Sequence, residues 1–474
     1  MNDDRGLGRS TSAAPPFGPS MRGMSGELVF PDLPERVRHV LATLAQAGQE
    51  VALVGGVVRD RLLGLEHRGE WDAATAARPE EIVALFDGAT WENRFGTVTI
   101  GANPAVEVTS YREEGAYRDR RRPSDVRFGV TLTEDLARRD FTINAMAWLP
   151  TDLDAGRGSL VDPFGGRDDL EARVLRAVGE PRERFAEDAL RLIRAARFAG
   201  RFELSIDPPT EQAIRELALT VASVSAERVR DELLRILADD PAPSRAIGLL
   251  ERLGLLAVVL PELAALRGVP QAKPVRGDAL DHSLRAVDAS PPAHPPVLRL
   301  AALLHDLGKA ETLRDGHFIG HEKVSYRLAS EVLHRLRVPR VLAEPVVGAV
   351  RHHMYEYSPA WTDAAVRRFV RRLDEVDRDL LFALRRADNA ASGVGPAGEA
   401  NQAEFEARIA EQVAAEPGLL VERRLAIDGH DLQRELGMVP GPEIGAVLDR
   451  LTELVLDDPS QNRRDILLER ARQR

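Results

Sequence analysis

The feature that most constrains this chain is a change of periodicity at Asp162-Pro163-Phe164-Gly165-Gly166. Beyond that turn almost everything carries helical spacing broken by Pro and Gly, with no further cluster of β-branched runs. Before it, strand-like and helical stretches alternate. Val37, Val40, Leu41 and Leu44 recur at helical spacing between Pro34 and Gln46, and Ala52-Leu53-Val54 is a short apolar run ending in Gly55-Gly56. Thr97 to Gly101 and Ala105 to Ser110 read as strands, and Pro79 to Phe86 as a helix opened by proline. The predicted fold class is α+β, a small mixed-sheet domain followed by an elongated all-α region. A chain of 474 residues is too long for one core and should divide into three or four domains.

With 64 Lys plus Arg against 75 Asp plus Glu, the net charge of −11 excludes a protein that coats nucleic acid by bulk attraction; any such contact must be local. The absence of cysteine excludes disulfides, thiolate zinc sites and thiol nucleophiles, leaving carboxylates, His, Lys, Arg and hydroxyls. No stretch approaches the roughly 18 apolar residues of a membrane span, and the N-terminus lacks a signal-peptide core, so a cytoplasmic protein without membrane contact is expected. Residues 1–28, rich in Gly, Ser, Pro and Arg, read as a disordered leader, with Met21 or Met24 as alternative starts.

The segment Leu53 to Gly64 sets Gly55 and Gly56 between a strand and a helix, where bare amides approach a triphosphate closely. Alternate residues of a strand share a face, so Glu70-Trp71-Asp72 sets two carboxylates side by side as a pair of Mg²⁺ ions requires, and Glu107 in Val106-Glu107-Val108-Thr109 supplies a third. Alone, Glu70 and Asp72 read as solvated strand-edge acids. Two neighbouring segments reverse that judgement. Arg138 to Ala147 packs two arginines, Asp140 and Asn144 beside an apolar run, and Glu187-Asp188 with Arg191 and Arg194 places acids and arginines at helical spacing on one face.

Together with Tyr117 to Pro123, Asp162 to Gly166 and Ser225-Ala226-Glu227-Arg228, these segments closely resemble the class II CCA-adding tRNA nucleotidyltransferases, in the superfamily that also holds bacterial poly(A) polymerases. The resemblance implies a nucleotidyltransferase head at 29–150, a helical neck for base recognition and RNA binding at 151–240, a body linker at 241–274 and a tRNA-binding tail at 396–474. It implies CCA addition to the tRNA acceptor end from CTP and ATP, with Glu70, Asp72 and Glu107 catalytic and Mg²⁺ on the first two. Gly55, Gly56, Arg59 and Arg194 join the nucleotide site, Asp188 and Arg191 read the base, and Arg139, Asp140 and Asn144 contact the sugar. The segment Glu113 to Pro123 matches a loop that switches the site from CTP to ATP. The chain departs from the family at Glu70, where the family carries Asp; the extra methylene shifts the ligand oxygens.

His282, His305-Asp306, His321, His352, His353 and Asp388 form a second constellation of imidazoles and carboxylates suited to a divalent metal. The apolar run leading into His305-Asp306 resembles the HD phosphohydrolase domain, which sets off 275–395. That resemblance implies a second divalent transition metal on His282, His305, Asp306 and Asp388, in a domain that either hydrolyses phosphoester or cyclic phosphate ends or is a structural remnant. Arg367, Arg368, Arg371, Arg372, Arg385 and Arg386 read either as a solvated face or, as a set, as a phosphate-binding surface. The alternatives are an enzyme adding only CC or A, a poly(A) polymerase, and a phosphohydrolase whose N-terminal domain binds RNA without transfer.

Overall fold

A computed structural model of the chain describes residues 26–67, 71–91, 96–102, 104–114, 126–293, 295–373, 376–420 and 424–473. The chain divides into two compact units, Met1–Val224 and Ser225–Arg474.

The first unit is built on β1 (Glu27–Val29), β2 (Val51–Val54), β3 (Trp71–Thr75), β4 (Thr90–Trp91), β5 (Thr97–Ile100), β6 (Val106–Ser110), β7 (Arg112–Glu114), β8 (Val126–Phe128), β9 (Ala147–Asp152) and β10 (Arg157–Val161). Eight of these form one sheet in the order β1-β10-β9-β2-β3-β6-β5-β4, while β7 and β8 pair separately. Every neighbouring pair in the large sheet is antiparallel except β3 and β6, so the sheet is mixed as expected. The unbroken apolar run of β2 is buried throughout because the strand lies mid-sheet. The helix Glu35–Gln46 buries the predicted stripe Val37, Val40, Leu41 and Leu44, and Pro79 opens the helix Pro79–Leu85.

The sheet reaches beyond the expected head in both directions. Strand β1 falls partly in the stretch expected as a leader; it pairs with β10, and the Trp148 indole donates to the Leu28 carbonyl at 2.7 Å. Past the Asp162 turn one strand pair remains among the described residues, β11 (Val174–Leu175) parallel to β12 (Ser205–Ile206). Two-residue strands carry no readable alternation, so periodicity passes over them.

The second unit is helical among the described residues. Its helices include Ala226–Asp239, Ala279–Ala289, Val297–Leu304, His321–Arg335, Arg340–His352 and Arg378–Ser392. The buried Arg299 guanidinium ties several helix ends together by donating to the carbonyls of Ser290, Leu237 and Asp240. A separate core around Tyr355, Phe369, Phe382 and Phe405 joins the later helices, including Pro442–Asp457. Arg367, one of the arginines weighed as phosphate-binding, serves this core. It is buried and donates to the Leu456 and Asp457 carbonyls at the end of that helix and to Gln412. Arg368 pairs with Glu453 and Asp457, and Arg386 with Glu406. Three of the six arginines are thus engaged in holding helices.

Candidate active site and metal centre

Strand register builds the first site. β2 runs antiparallel to β3 with Leu53 opposite Ala73, so the chain enters the Gly55 turn at the sheet end where Asp72 stands. β6, parallel to β3 on its other side, sets Glu107 opposite Asp72. Directly paired residues project to the same face, so the two half-buried carboxylates stand side by side among buried neighbours. Glu70 lies outside the described residues, as does the switching loop beyond Glu114. Gly55 has a φ of 73°, and a Cβ there would lie 2.6 Å from Arg139 Nη1, so glycine lets the arginine lie against the turn. The Gly55 amide itself donates to the Met146 carbonyl at 3.1 Å. Its part is conformational, which corrects the expectation that this amide faces a phosphate.

Behind the turn runs a continuous chain of hydrogen bonds. Arg59 donates to Asp60 Oδ1 through Nε at 3.0 Å and Nη2 at 2.6 Å, and through Nη1 to Asn144 Oδ1 at 2.6 Å. Asn144 Nδ2 donates to Asp140 Oδ1 at 3.1 Å, and Arg194 Nε to Asp140 Oδ2 at 2.8 Å. An arginine on one side and a carboxylate on the other fix which way the Asn144 amide points. Burial opposes charge on Asp140, but Arg194, the Asn144 bond and Arg191 outweigh it and hold the carboxyl down at about 2. The Arg59 guanidinium lies 4.5 Å from the Phe202 ring centroid and 5.2 Å from that of Phe198. Sequence reasoning missed the far end of this network, where His67 Nδ1 sits 2.9 Å from Asp60 Oδ2; nothing in the spacing of a lone histidine signals it.

Asp188 does not share a helix face with Arg191. It sits in extended conformation between the helices Pro181–Glu187 and Leu190–Arg201, and its Oδ1 accepts from the Leu190 amide at 3.1 Å. Helical spacing read through this break, because an aspartate capping a new helix leaves the apolar pattern continuous. Arg191 donates to Glu187 at 2.5 Å and to the carbonyls of Arg184 and Arg138 at 2.7 and 2.9 Å.

The second site lies in the helical unit. His282, His305, Asp306, His321, His353 and Asp388 are all buried and converge on Asp306. His282 Nε2 lies 3.3 Å from His305 Nε2, 3.4 Å from Asp306 Oδ2 and 3.0 Å from Asp388 Oδ1, while His305 Nε2 is 3.2 Å from Asp306 Oδ2. On the other oxygen of the same carboxylate, His321 Nε2 stands 3.3 Å and His353 Nε2 3.8 Å from Oδ1. His305, His321 and His353 each place Nδ1 2.7 to 2.8 Å from the carbonyl three residues earlier. A carbonyl only accepts, so Nδ1 carries the proton and the Nε2 lone pair is turned inward. The Nε2 atoms of His321 and His353 are buried without a hydrogen-bond partner, an arrangement a cation relieves. The residues present therefore fit a metal ion. Gly308 permits the packing, since a Cβ there would lie 2.4 Å from the His321 carbonyl. Burial opposes charge on Asp306, yet His305 and Lys309 hold its carboxyl well below the usual range. Burial, aided by His305, pushes His353 down to about 3. His352, expected in this constellation, is half-buried next to Arg351 and does not join the cluster.

Comparisons with known proteins match a family to each of the two units. Residues 51–176 match the family described as Poly A polymerase head domain, 203–266 the probable RNA and SrmB-binding site of polymerase A, and 279–391 the HD domain. The chain is 37% identical over 431 residues to an A-adding tRNA nucleotidyltransferase of Deinococcus radiodurans, covering 85% of this chain and 90% of that one. It is 33% identical over 433 residues to a CCA-adding enzyme of a Geobacillus species, covering 91% and 95%. The chain belongs to the class II CCA-adding tRNA nucleotidyltransferases. A crystal structure of the Bacillus stearothermophilus CCA-adding enzyme in complex with CTP superposes with a TM-score of 0.68 at 27% identity, over 92% of this chain and 97% of that one. Membership in this nucleotidyltransferase family implies use of a divalent metal. Among the described residues no helix is long and apolar enough to cross a membrane.

Proposed function

We propose that this chain adds or repairs the 3′-terminal CCA of tRNA from CTP and ATP without a nucleic-acid template, in the cytoplasm. The observation that carries the reading is the Asp72–Glu107 register pair at the sheet end where the Gly55 turn begins, within a chain alike over most of its length to tRNA nucleotidyltransferases. Glu70 and Asp72, with Glu107 alongside, would hold Mg²⁺, which when bound activates the terminal hydroxyl and steadies the leaving pyrophosphate. The chain's own residues do the rest. Gly55 keeps the turn low enough for Arg139, and Arg59, Asn144, Asp140 and Arg194 form a rigid wall against which a ribose is positioned. Asp188 and Arg191 present an acceptor and donors to the base edge, and a matched edge supplies about 1–3 kcal/mol of discrimination. A base drawing on Arg191 competes with Glu187 and two carbonyls for its donors.

The test offers the protein three tRNAs, lacking CCA, CA or only A, with Mg²⁺ and CTP, ATP or both. Stepwise addition of C, C and A is expected. Addition of A to the last substrate alone would make it an A-adding enzyme, long A tails would make it a polymerase, and no addition would sink the reading.

A second activity is favoured by the unpartnered imidazole nitrogens facing Asp306. We infer that His282, His305, Asp306 and Asp388 hold a divalent transition metal, with the Nε2 lone pairs of His321 and His353 facing it from the Oδ1 side of Asp306; when bound, the ion would polarise a phosphoryl group and its attacking water. Water oxygen bonds to phosphorus, the ester P–O bond breaks, and the departing oxygen takes the proton. Ring opening of a cyclic phosphate nucleotide to its monoester with Ni²⁺ or Mn²⁺, lost in His305→Ala, is the expected result; opening that survives this substitution would overturn the assignment.

A further inference from the structure

The segment that supplies Arg139, Asp140 and Asn144 is preceded by a buried carboxylate that belongs neither to the strand acids nor to the wall behind the glycine turn. Asp135 lies in the helix Leu132–Ala137, and its side chain is fully buried. The helix does not need it at its N-terminus, because Thr131 and Glu134 already form a capping box there. Nor is it an ordinary ion pair on a helix surface, which stays solvated and contributes little. Burying a carboxylate is costly unless other groups answer its charge. Burial opposes charge on Asp135, but Arg138 and Arg139 outweigh it and hold the carboxyl below its usual range.

The two oxygens of Asp135 are engaged differently. Oδ1 accepts from Arg138 Nε at 3.0 Å, from Arg138 Nη2 at 2.8 Å and from the Arg112 amide of β7 at 3.4 Å. That half fastens the helix end to a neighbouring strand. Oδ2 lies 3.6 Å from Arg139 Nη2, too far for a hydrogen bond, and is buried without a hydrogen-bond partner. Arg139 Nε is likewise buried without one. Among the described residues the Arg139 guanidinium makes no hydrogen bond, although it lies against the Gly55 turn. Arg59, Arg191 and Arg194 around it spend their donors on protein acceptors. Arg139 keeps its donors, and one carboxylate oxygen sets where it lies.

We propose that Asp135 is a positioning residue of the nucleotide site: through Oδ2 it aims the Arg139 guanidinium across the Gly55 turn at an oxygen of the bound nucleotide, while Oδ1 only fastens the helix. The inference rests on reading this site as the one that receives CTP and ATP. The ion contact removes beforehand the rotamer freedom that an unheld arginine would lose on binding. Its attraction also competes with the ligand for the guanidinium, but a contact of 3.6 Å without a hydrogen bond leaves the donors unengaged. Alignment therefore outweighs competition.

Asp135→Asn separates the two oxygens. The amide oxygen stays with Arg138 and the Arg112 amide, which only donate, and the NH₂ group takes the place of Oδ2, so that a donor faces the donors of Arg139. Calorimetric titration of the full chain with CTP and with ATP in Mg²⁺ is expected to show both bound about tenfold more weakly, the size of one misaligned charge-assisted hydrogen bond. The two losses should be equal, since the base edge meets Asp188 and Arg191 instead. In an Arg139→Gln background the same substitution should change neither affinity by more than about twofold. Leu136→Ala, a cavity in the same helix, should lower stability in denaturant titration and leave both affinities within about twofold of the parent. Should Asp135→Asn fail to fold, Asp135→Glu carries the same cycle, because it keeps the buried charge and displaces it by one methylene. Unchanged or tighter binding, or the same loss with and without Arg139, overturns the inference. A parent chain that binds CTP with this dependence on Asp135 but adds no nucleotide to tRNA sinks the proposed function and leaves the inference standing. Addition by a parent in which the two substitutions act independently does the reverse.

Discussion

The two sites of this chain hold their charged groups by opposite means. In the sheet unit each member of the wall behind the glycine turn is answered by another protein group, from His67 through Asp60, Arg59, Asn144 and Asp140 to Arg194. In the helical unit the backbone turns imidazoles inward and leaves the lone pairs of His321 and His353 unanswered around one carboxylate. A satisfied network costs little when nothing is bound and can rigidify a surface that receives one nucleotide after another. Unsatisfied lone pairs at this depth are expensive, and the expense is recovered when a cation binds. On the functional reading proposed above, the first site is shaped for exchange of its ligand and the second for retention.

That contrast breaks most sharply at the carboxylates of the sheet. Asp72→Asn should lower CCA addition by roughly 10³-fold or more while the folded state persists, since Asp72 is half-buried at a strand position. Single-turnover assays on tRNA lacking its terminal A would measure it, and a loss below tenfold would remove Asp72 from the metal site. Glu70→Asp should match or exceed the parent rate. Asp140→Asn tests the wall instead. It leaves the buried Arg59 bond to Asn144 in place but removes the Asp140 charge from the Arg194 ion pair, and should cost about 3 kcal/mol of stability in denaturant titration. A loss of activity at unchanged stability would show that Asp140 acts on the nucleotide rather than on the wall.

Local signals carried most of the fold and part of each site. The stripe Val37, Val40, Leu41 and Leu44, the run Ala52-Leu53-Val54 and the turn at Asp162 were legible because burial on a regular element leaves a period. The Asp72–Glu107 pairing was legible only as two acids in two strands; that the strands are parallel neighbours in register is a long-range fact. Asp188 was misplaced because a capping residue between two helices does not interrupt their apolar pattern. His321 and His353 entered the constellation as histidines, but their convergence on the far oxygen of Asp306 depends on how three helices cross. His67 carried no signal, since a lone polar side chain gains meaning only from what it touches.

The retention expected of the second site has a thermal reading. Ni²⁺ or Mn²⁺ at about 100 times its dissociation constant should stabilise the helical unit by about 2.7 kcal/mol, seen as a rise in one transition of a calorimetric scan. His353→Gln should reduce that rise, because it removes one of the two inward lone pairs on the Oδ1 side of Asp306. An identical rise in the variant would confine the ion to the side of His282, His305 and Asp388.

The smallest effect follows from protons rather than metal. His353 titrates at about 3 in the folded chain against an unfolded value of about 6.5, because burial and the neighbouring His305 disfavour its charge. The unfolded chain therefore binds the extra proton as pH falls through 6.5 while the folded chain stays neutral, so stability is full above that pH and declines below it. Between pH 7 and 6 the difference amounts to roughly 0.7 kcal/mol, and it is insensitive to the folded value as long as that lies well below 6. Denaturant titration of metal-stripped protein at the two pH values should show this increment in the parent chain and its loss in His353→Gln, with His282 contributing equally to both. A parent and variant with the same pH dependence would mean that His353 is charged or solvated in the folded chain, and the inward lone pair that separates this site from the sheet site would be lost with it.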